Sequence, residues 1–322
     1  MKRGTVGAVA LGLAVAASCT PFGEGAATDA GPLDVGTLDA GADAPEASGD
    51  LARGLPDPAV ACGSLSCVQD AGCINGQCSE LFALGTGTPF GIAVDDTDAY
   101  ITILQGALVK KEKKTAGSAW SGPLAFSSPP PPGGWGYLTR RGKRLMWARA
   151  ADDPPSVMGV EIGADVLEAR PQLVEQATAV ASMPNGTVFV TSFLGKGLYL
   201  LRDNGPPQSL PAYTDENLEG IASDGEELFV ANVEDGIITR VLPPPAFDIV
   251  VGGKPAGIAL DETYIYFTDQ GPNSEVARVS RKPPHVRQLL AAAEGVFLGI
   301  AVDATHVYWV VESPGRILRI RK

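Results

Sequence analysis

The residues of this 322-residue chain whose types and spacing could do chemistry are few, chiefly five cysteines and two histidines. Four of the cysteines, Cys62-x4-Cys67-x5-Cys73-x4-Cys78, fall within 17 residues. In an exported chain that density reads as two disulfides, with three pairings open. Zinc, the alternative, normally uses Cys-x2-Cys pairs, and a thiol site suits a reducing compartment. His285 and His306 fall in predicted turns or at strand starts of separate repeats, so a Ser-His-Asp constellation or a multi-histidine metal site is hard to build. Exposed turn histidines are expected instead. No glycine-rich phosphate loop stands between a strand and a helix, which leaves nucleotide use without support. Asn185-Gly186-Thr187 fits a glycosylation sequon, yet Asn-Gly between two strands is first of all a hairpin turn.

The elements that must position any site come from an internal repeat. Gly299-Ile300-Ala301-Val302-Asp303 is followed by Val307-Tyr308-Trp309. The pattern returns at Gly257 with Ile265-Tyr266-Phe267, at Gly220 with Leu228-Phe229-Val230, and at Gly91 with Ala99-Tyr100-Ile101. Two worn copies, Gly136-Tyr137-Leu138 with Met146-Trp147 and Ala179-Val180-Ala181 with Val188-Phe189-Val190, fill the gap. Short strands repeating at this length predict a six-bladed β-propeller over residues 79–322. Small residues suit an innermost strand, where neighbouring backbones converge, and the acid begins the first hairpin turn. The aromatic second strand fills the space between blades. An alternating third strand follows, and proline pairs (Pro206-Pro207, Pro243-Pro244-Pro245, Pro283-Pro284) mark the turn into the outermost one. The last copy stops after its third strand, while Glu80-Leu81-Phe82-Ala83-Leu84 looks like an outer strand without a blade. That segment is expected to complete the last blade and close the ring.

Composition bounds the rest. The net charge is -12, and between Thr20 and Ala61 eight acids face the single base Arg53. With little apolar surface to bury, residues 19–61 read as a disordered acidic tether. An acidic chain without a basic stripe is an unlikely partner for nucleic acid. The Lys110-Lys111-Glu112-Lys113-Lys114 run is expected to be a solvated strand edge and turn. Met1-Lys2-Arg3 followed by the small apolar run Val6 to Ala17 reads as an export signal over residues 1–18.

Several resemblances add to this reading. Ala16-Ala17-Ser18-Cys19 resembles the lipobox of bacterial lipoproteins, with Ala16 where that family more often has Leu. The resemblance implies a diacylated Cys19 as mature N-terminus and a membrane anchor through lipid. Thr20 in place of Asp favours the outer membrane, and a plain secretory signal is the alternative. Residues 62–78, with Asn75-Gly76 as a turn, resemble small EGF-like knots, which implies Cys62 paired with Cys73 and Cys67 with Cys78. Tyr266-Phe267-Thr268-Asp269 resembles YWTD-type six-bladed propellers, and the Gly-Ile-Ala-x-Asp starts resemble NHL-type repeats.

Lactonases and esterases of the SMP-30/arylesterase type share the six-bladed plan and hold calcium at the channel mouth. By that likeness Glu219, Asn232 and Asp269 would be the calcium ligands, an oxygen-rich set. The matching positions in other copies, Ile103, Ser192 and Val311, offer little to a metal. The reading that follows is a non-catalytic binding scaffold of the cell envelope, without a required cofactor. A monomer is expected, with a protein or glycan as partner. A calcium-dependent lactonase and a purely architectural protein are the alternatives.

Overall fold

The computed structural model describes residues 73–322, apart from 75–76, 85–86, 104–107, 114–119, 121–135, 150–155, 165–166, 172–173, 175, 194–196, 203–204, 214–216, 293–294 and 314. The signal segment, the tether, Cys19, Cys62 and Cys67 lie outside the described residues. The chain forms a six-bladed β-propeller of antiparallel meanders. Blade four is Leu218–Ser223, Leu228–Asn232, Ile237–Leu242 and Phe247–Val250; blade five is Pro255–Leu260, Tyr264–Asp269, Glu275–Ser280 and Arg287–Ala292. Blade two is Thr139–Arg141, Arg144–Arg149, Ser156–Glu161 and Leu167–Pro171; blade three is Ala177–Ser182, Val188–Ser192, Gly197–Leu201 and Gln208–Ser209. Blade one shows Pro89–Val94, Asp98–Ile103 and Leu108–Glu112 among the described residues. Blade six, Phe297–Val302, His306–Val311 and Arg316–Arg321, is completed by Glu80–Leu84 from the other end of the chain. Arg319 pairs with Glu80 and Ile317 with Ala83, so the ring closes as the sequence led us to expect.

Why glycine recurs in the innermost strands is visible in the spacing between blades. A Cβ on Gly220 would stand 1.9 Å from the Ala256 carbonyl oxygen of the next blade. On Gly257 it would meet the Leu298 oxygen at 2.6 Å, and on Gly299 the Gly91 Cα at 2.8 Å. Each contact reaches the following blade, and the last one joins blade six to blade one. The second strands supply the filling: Trp147, Trp309, Tyr100, Tyr266, Phe229 and Phe267 are all fully buried. Burying one such ring contributes about 2 kcal/mol or more of transfer free energy.

The acid that ends the innermost strand does two jobs. Asp261 accepts the backbone N–H groups of Thr263 and Tyr264, which fixes the hairpin turn, and takes the Tyr266 hydroxyl at 2.8 Å. Asp95 and Asp303 repeat the arrangement with Tyr100 and Tyr308. A cation from the end of the next blade's third strand then reaches back to it. Lys113 of blade one holds Asp303 of blade six at 2.6 Å, Lys322 of blade six holds Asp261 at 2.8 Å, and Arg281 of blade five holds Asp224.

This belt corrects one expectation. The lysine run is not a solvated edge throughout: Lys111 is buried and lies over the Phe82 ring, and the Lys113 side chain is only 6% exposed. Alternation along the strand turns every second lysine inward. The histidines are half-buried rather than exposed. His285 stacks on Phe247, and His306 approaches the Thr305 hydroxyl at 2.7 Å. Near the start of the described chain, Cys73–Ile74 and Gln77–Cys78 form a two-stranded ribbon with Cys73 opposite Cys78.

Candidate functional site

The beginnings of the innermost strands ring one end of the central channel. Register identifies equivalent residues around the ring. Ala93 faces Tyr100, Ala181 faces Phe189, Ala222 faces Phe229, Ala259 faces Tyr266 and Ala301 faces Tyr308. In blade two it is Thr139 that faces Met146. Two residues before each of these stand Gly91, Tyr137, Ala179, Gly220, Gly257 and Gly299. Tyr137, not Gly136, therefore occupies the glycine position of blade two. The worn copy is one residue out of step with its sequence alignment.

That single replacement shapes the channel. The Tyr137 side chain reaches past blade three, and its hydroxyl donates to Glu219 Oε2 of blade four at 2.9 Å. Its ring lies 5.3 Å from that of Phe90 in blade one. The glycines at 220, 257 and 299 leave room for the phenol, and a void of only about 30 Å³ remains beside it. Tyr137 is a plug, and Glu219 is its anchor.

The residues just before the glycine positions are Phe90, Gly136, Thr178, Glu219, Ala256 and Leu298, so Glu219 is the one ionisable group of the six. Burial pushes its carboxyl above the usual carboxylate range, against the opposing pull of the Tyr137 hydrogen bond. Burial also pushes the Tyr137 hydroxyl well up, and the charges of Glu219 and Glu312 add to this. A buried carboxyl with raised proton affinity at a channel end can hold or pass a proton.

Asn232 and Asp269 belong to other networks. Asn232 caps its own turn: Oδ1 accepts the N–H groups of Glu234 and Asp235, and Nδ2 donates to Asp235 Oδ2 at 2.7 Å. Asp269 Oδ1 accepts the backbone N–H groups of Lys254 and Gly271, and Oδ2 accepts from the Arg287 guanidinium at 2.9 Å. Arg287 also binds Glu275. The matching position in blade two carries Arg149, and Ile103, Ser192 and Val311 are buried at the others. Among the described residues no group of three or more His, Cys, Asp or Glu is placed to hold a metal ion. As they stand, Glu219, Asn232 and Asp269 do not fit calcium as a set: one carboxylate serves a phenol, one amide a turn, and the other carboxylate a guanidinium.

Sequence reasoning passed over the threonines. Thr268 Oγ1 accepts from the Gly257 N–H at 2.9 Å and donates to the Leu298 carbonyl of the next blade at 2.7 Å. Thr102 makes the same pair with Gly91 and Gly136, and Thr191 donates to the Glu219 carbonyl at 2.6 Å. The Thr of the YWTD-like segment is thus a clasp between innermost strands. Its signal was present as Tyr-Ile-Thr and Phe-Val-Thr, hidden by the missing acid after it.

No family model matches the chain, and no curated protein is similar to it by sequence. Solved structures do match in fold. A catalytically inactive virginiamycin B lyase from Staphylococcus aureus, with quinupristin, superposes with TM-score 0.57 at 13% identity, covering 76% of this chain and 99% of that one. A gluconolactonase from Xanthomonas campestris gives TM-score 0.55 at 11% identity over 77% and 90%. The PQQ-bound aldose sugar dehydrogenase of Streptomyces coelicolor gives 0.52 at 15% over 76% and 98%. A lyase, a lactonase and a dehydrogenase alike match this chain. The likeness is one of fold alone.

Proposed function

We propose that the chain is a lipoprotein of the cell envelope whose propeller binds a protein or glycan without turning it over. Cys19 carries the lipid, residues 19–61 tether the folded part, and Cys62, Cys67, Cys73 and Cys78 form two disulfides at its base. One observation carries the binding reading. The polar side chains singled out by the sequence are spent on internal contacts, Glu219 on Tyr137 between blades and Asp269 on Arg287 within blade five. Variable loops on a rigid ring then supply the recognition surface. Immobilised protein exposed to envelope extracts should retain a partner saturably, with release by free protein. Retention of nothing above a blank surface overturns the reading.

A second reading, hydrolysis of a lactone or ester, is favoured by the raised carboxyl of Glu219 at the channel end. It is separated from the first by melting the protein in EDTA and then in added calcium, followed by a screen of lactones. A melting temperature that climbs with calcium concentration, together with turnover lost in Glu219→Gln, would replace the binding reading.

A further inference from the structure

A cleft of about 550 Å³ lies between blades two and three. The equivalent space between blades four and five, about 670 Å³, is lined by charged side chains such as Asp224, Arg240 and Arg281, so what sets the first apart is its apolar lining. Its origin can be read from register. Opposite the aromatic of the second strand, the third strand carries Lys110 in blade one, Arg240 in blade four, Arg278 in blade five and Arg319 in blade six. In blade two both partners are lost at once: Met146 replaces the ring, and Gly159 replaces the cation. The Arg144 guanidinium lies over Gly159, and the cleft opens beside it. Met146, Met158, Met183, Val188 and Leu201 form an apolar floor, and these are all the methionines of the chain beyond Met1.

The charge at its rim is also reversed. The position held by Asp95, Asp224, Asp261 and Asp303 elsewhere is Arg141 in blade two. Its guanidinium has one partner, the Ser182 carbonyl at 3.3 Å, and no ion pair among the described residues. The neighbouring Arg144 is paired with Glu168. Interiors are packed to near-crystal density, so an emptied inter-blade space costs stability unless something occupies it. Its volume lies in the ordinary range for small-molecule pockets, roughly 300–1,000 Å³.

We infer that this cavity is a binding site for a small amphipathic anion, whose apolar body lies on the methionine floor and whose carboxylate pairs with Arg141. Thioether side chains adapt to flexible chains of varied shape, and a guanidinium grips a carboxylate through two parallel N–H groups. This site is independent of the channel and of the reading given for it.

Titration calorimetry of the protein carrying Cys19→Ser, free of detergent, would use octanoate as probe and 1-octanol as its uncharged counterpart. Saturable binding of octanoate is expected, with 1-octanol clearly weaker. Arg141→Gln should weaken octanoate by about tenfold or more and leave 1-octanol unchanged. Met146→Tyr with Gly159→Arg, which restores the residue pair of blades five and six, should abolish binding of both and raise the melting temperature. An added Cβ at Gly159 meets no backbone, only the end of the Arg144 side chain at 3.0 Å, which has to shift by a few tenths of an ångström. Octanoate binding left unchanged by Arg141→Gln overturns the proposal. It fails equally if octanoate does not saturate, if 1-octanol binds as well, or if the refilled variant still binds.

Discussion

Blades four, five and six, with blade one, are built by one rule, and blades two and three by another. In the first group glycine lets innermost strands touch, an acid fixes the turn, and a cation reaches back from the following blade at three of the joints. In the second group the glycine position is held by Tyr137 and Ala179, and the acid position by Arg141 and Met183. The ring closes all the same. Closure therefore needs the small-residue contact and the ion pair only at some joints, and the departures are free to shape a plug and a cavity.

The sharpest way to break that contrast is at the closest contact. Gly220→Ala places a Cβ 1.9 Å from the Ala256 oxygen, backbone that cannot swing aside. A loss of about 3 kcal/mol is expected, seen as a fall in melting temperature of roughly 6–12 °C. Blade three already carries Ala179 at the same station, so Ala179→Gly should cost far less. Equal losses at both sites would erase the distinction between the two groups.

Next in size is the threonine clasp. Thr268→Val keeps the shape but leaves the Gly257 N–H and the Leu298 carbonyl unpaired within a fully buried joint. About 2 kcal/mol should be lost in a urea titration. Blade four manages with Ala231 at this position, buried and without a hydroxyl. A neutral Thr268→Val would mean that the clasp is incidental.

The ion-pair belt comes third and is read through pH. Burial alone would raise the Asp303 carboxyl, but the hydrogen bond from Lys113 and the N–H groups of Thr305 and His306 outweigh it and hold the group well below the usual range. A carboxylate depressed in the native state adds stability above its unfolded value, and that stability is lost as pH falls through the native one. Lys113→Met should cost about 1–2 kcal/mol at neutral pH. The gap between the two proteins should narrow in acid, as Asp303 takes up its proton. At Arg141, where blade two has no carboxylate, Arg141→Gln should show no such acid-dependent gap.

Much of the first group was legible in the sequence, because glycine, acid and tyrosine stand at fixed offsets and each has one job. Gly220, Gly257 and Gly299 declare close approach, and Asp261 with Tyr266 declares a turn. The closing strand Glu80–Leu84 could be matched to its blade by pattern alone. The second group was harder for a physical reason. Tyr137 breaks the small-residue rule by pointing into a channel that sequence does not show, so Gly136 looked like the glycine that starts the copy. Lys113 was read as solvated because its partner, Asp303, lies at the far end of the chain. Glu219 stood out as an acid before an innermost strand, while its partner phenol depended on a register one residue from the apparent one. Asn232 and Asp269 share its residue chemistry but sit at strand exits, where local N–H groups and Arg287 claim them.

The smallest expected effect tests whether Glu219 is structural or poised to act. Its native carboxyl is raised, so the folded state binds a proton more readily than the unfolded one. Such a group penalises folding increasingly as pH climbs from the ordinary carboxylate range through the raised value, and by a constant amount above it. Glu219→Gln removes that penalty yet leaves an oxygen to accept from the Tyr137 hydroxyl. The variant should match the parent in mild acid and become slightly more stable as pH rises through that window. Tyr137→Phe should move the other way, costing about 1 kcal/mol once the carboxylate has lost its donor. If Glu219→Gln instead destabilises the protein at neutral pH, the carboxylate has a partner beyond Tyr137, and the channel end rather than the blade faces becomes the place to look for a ligand.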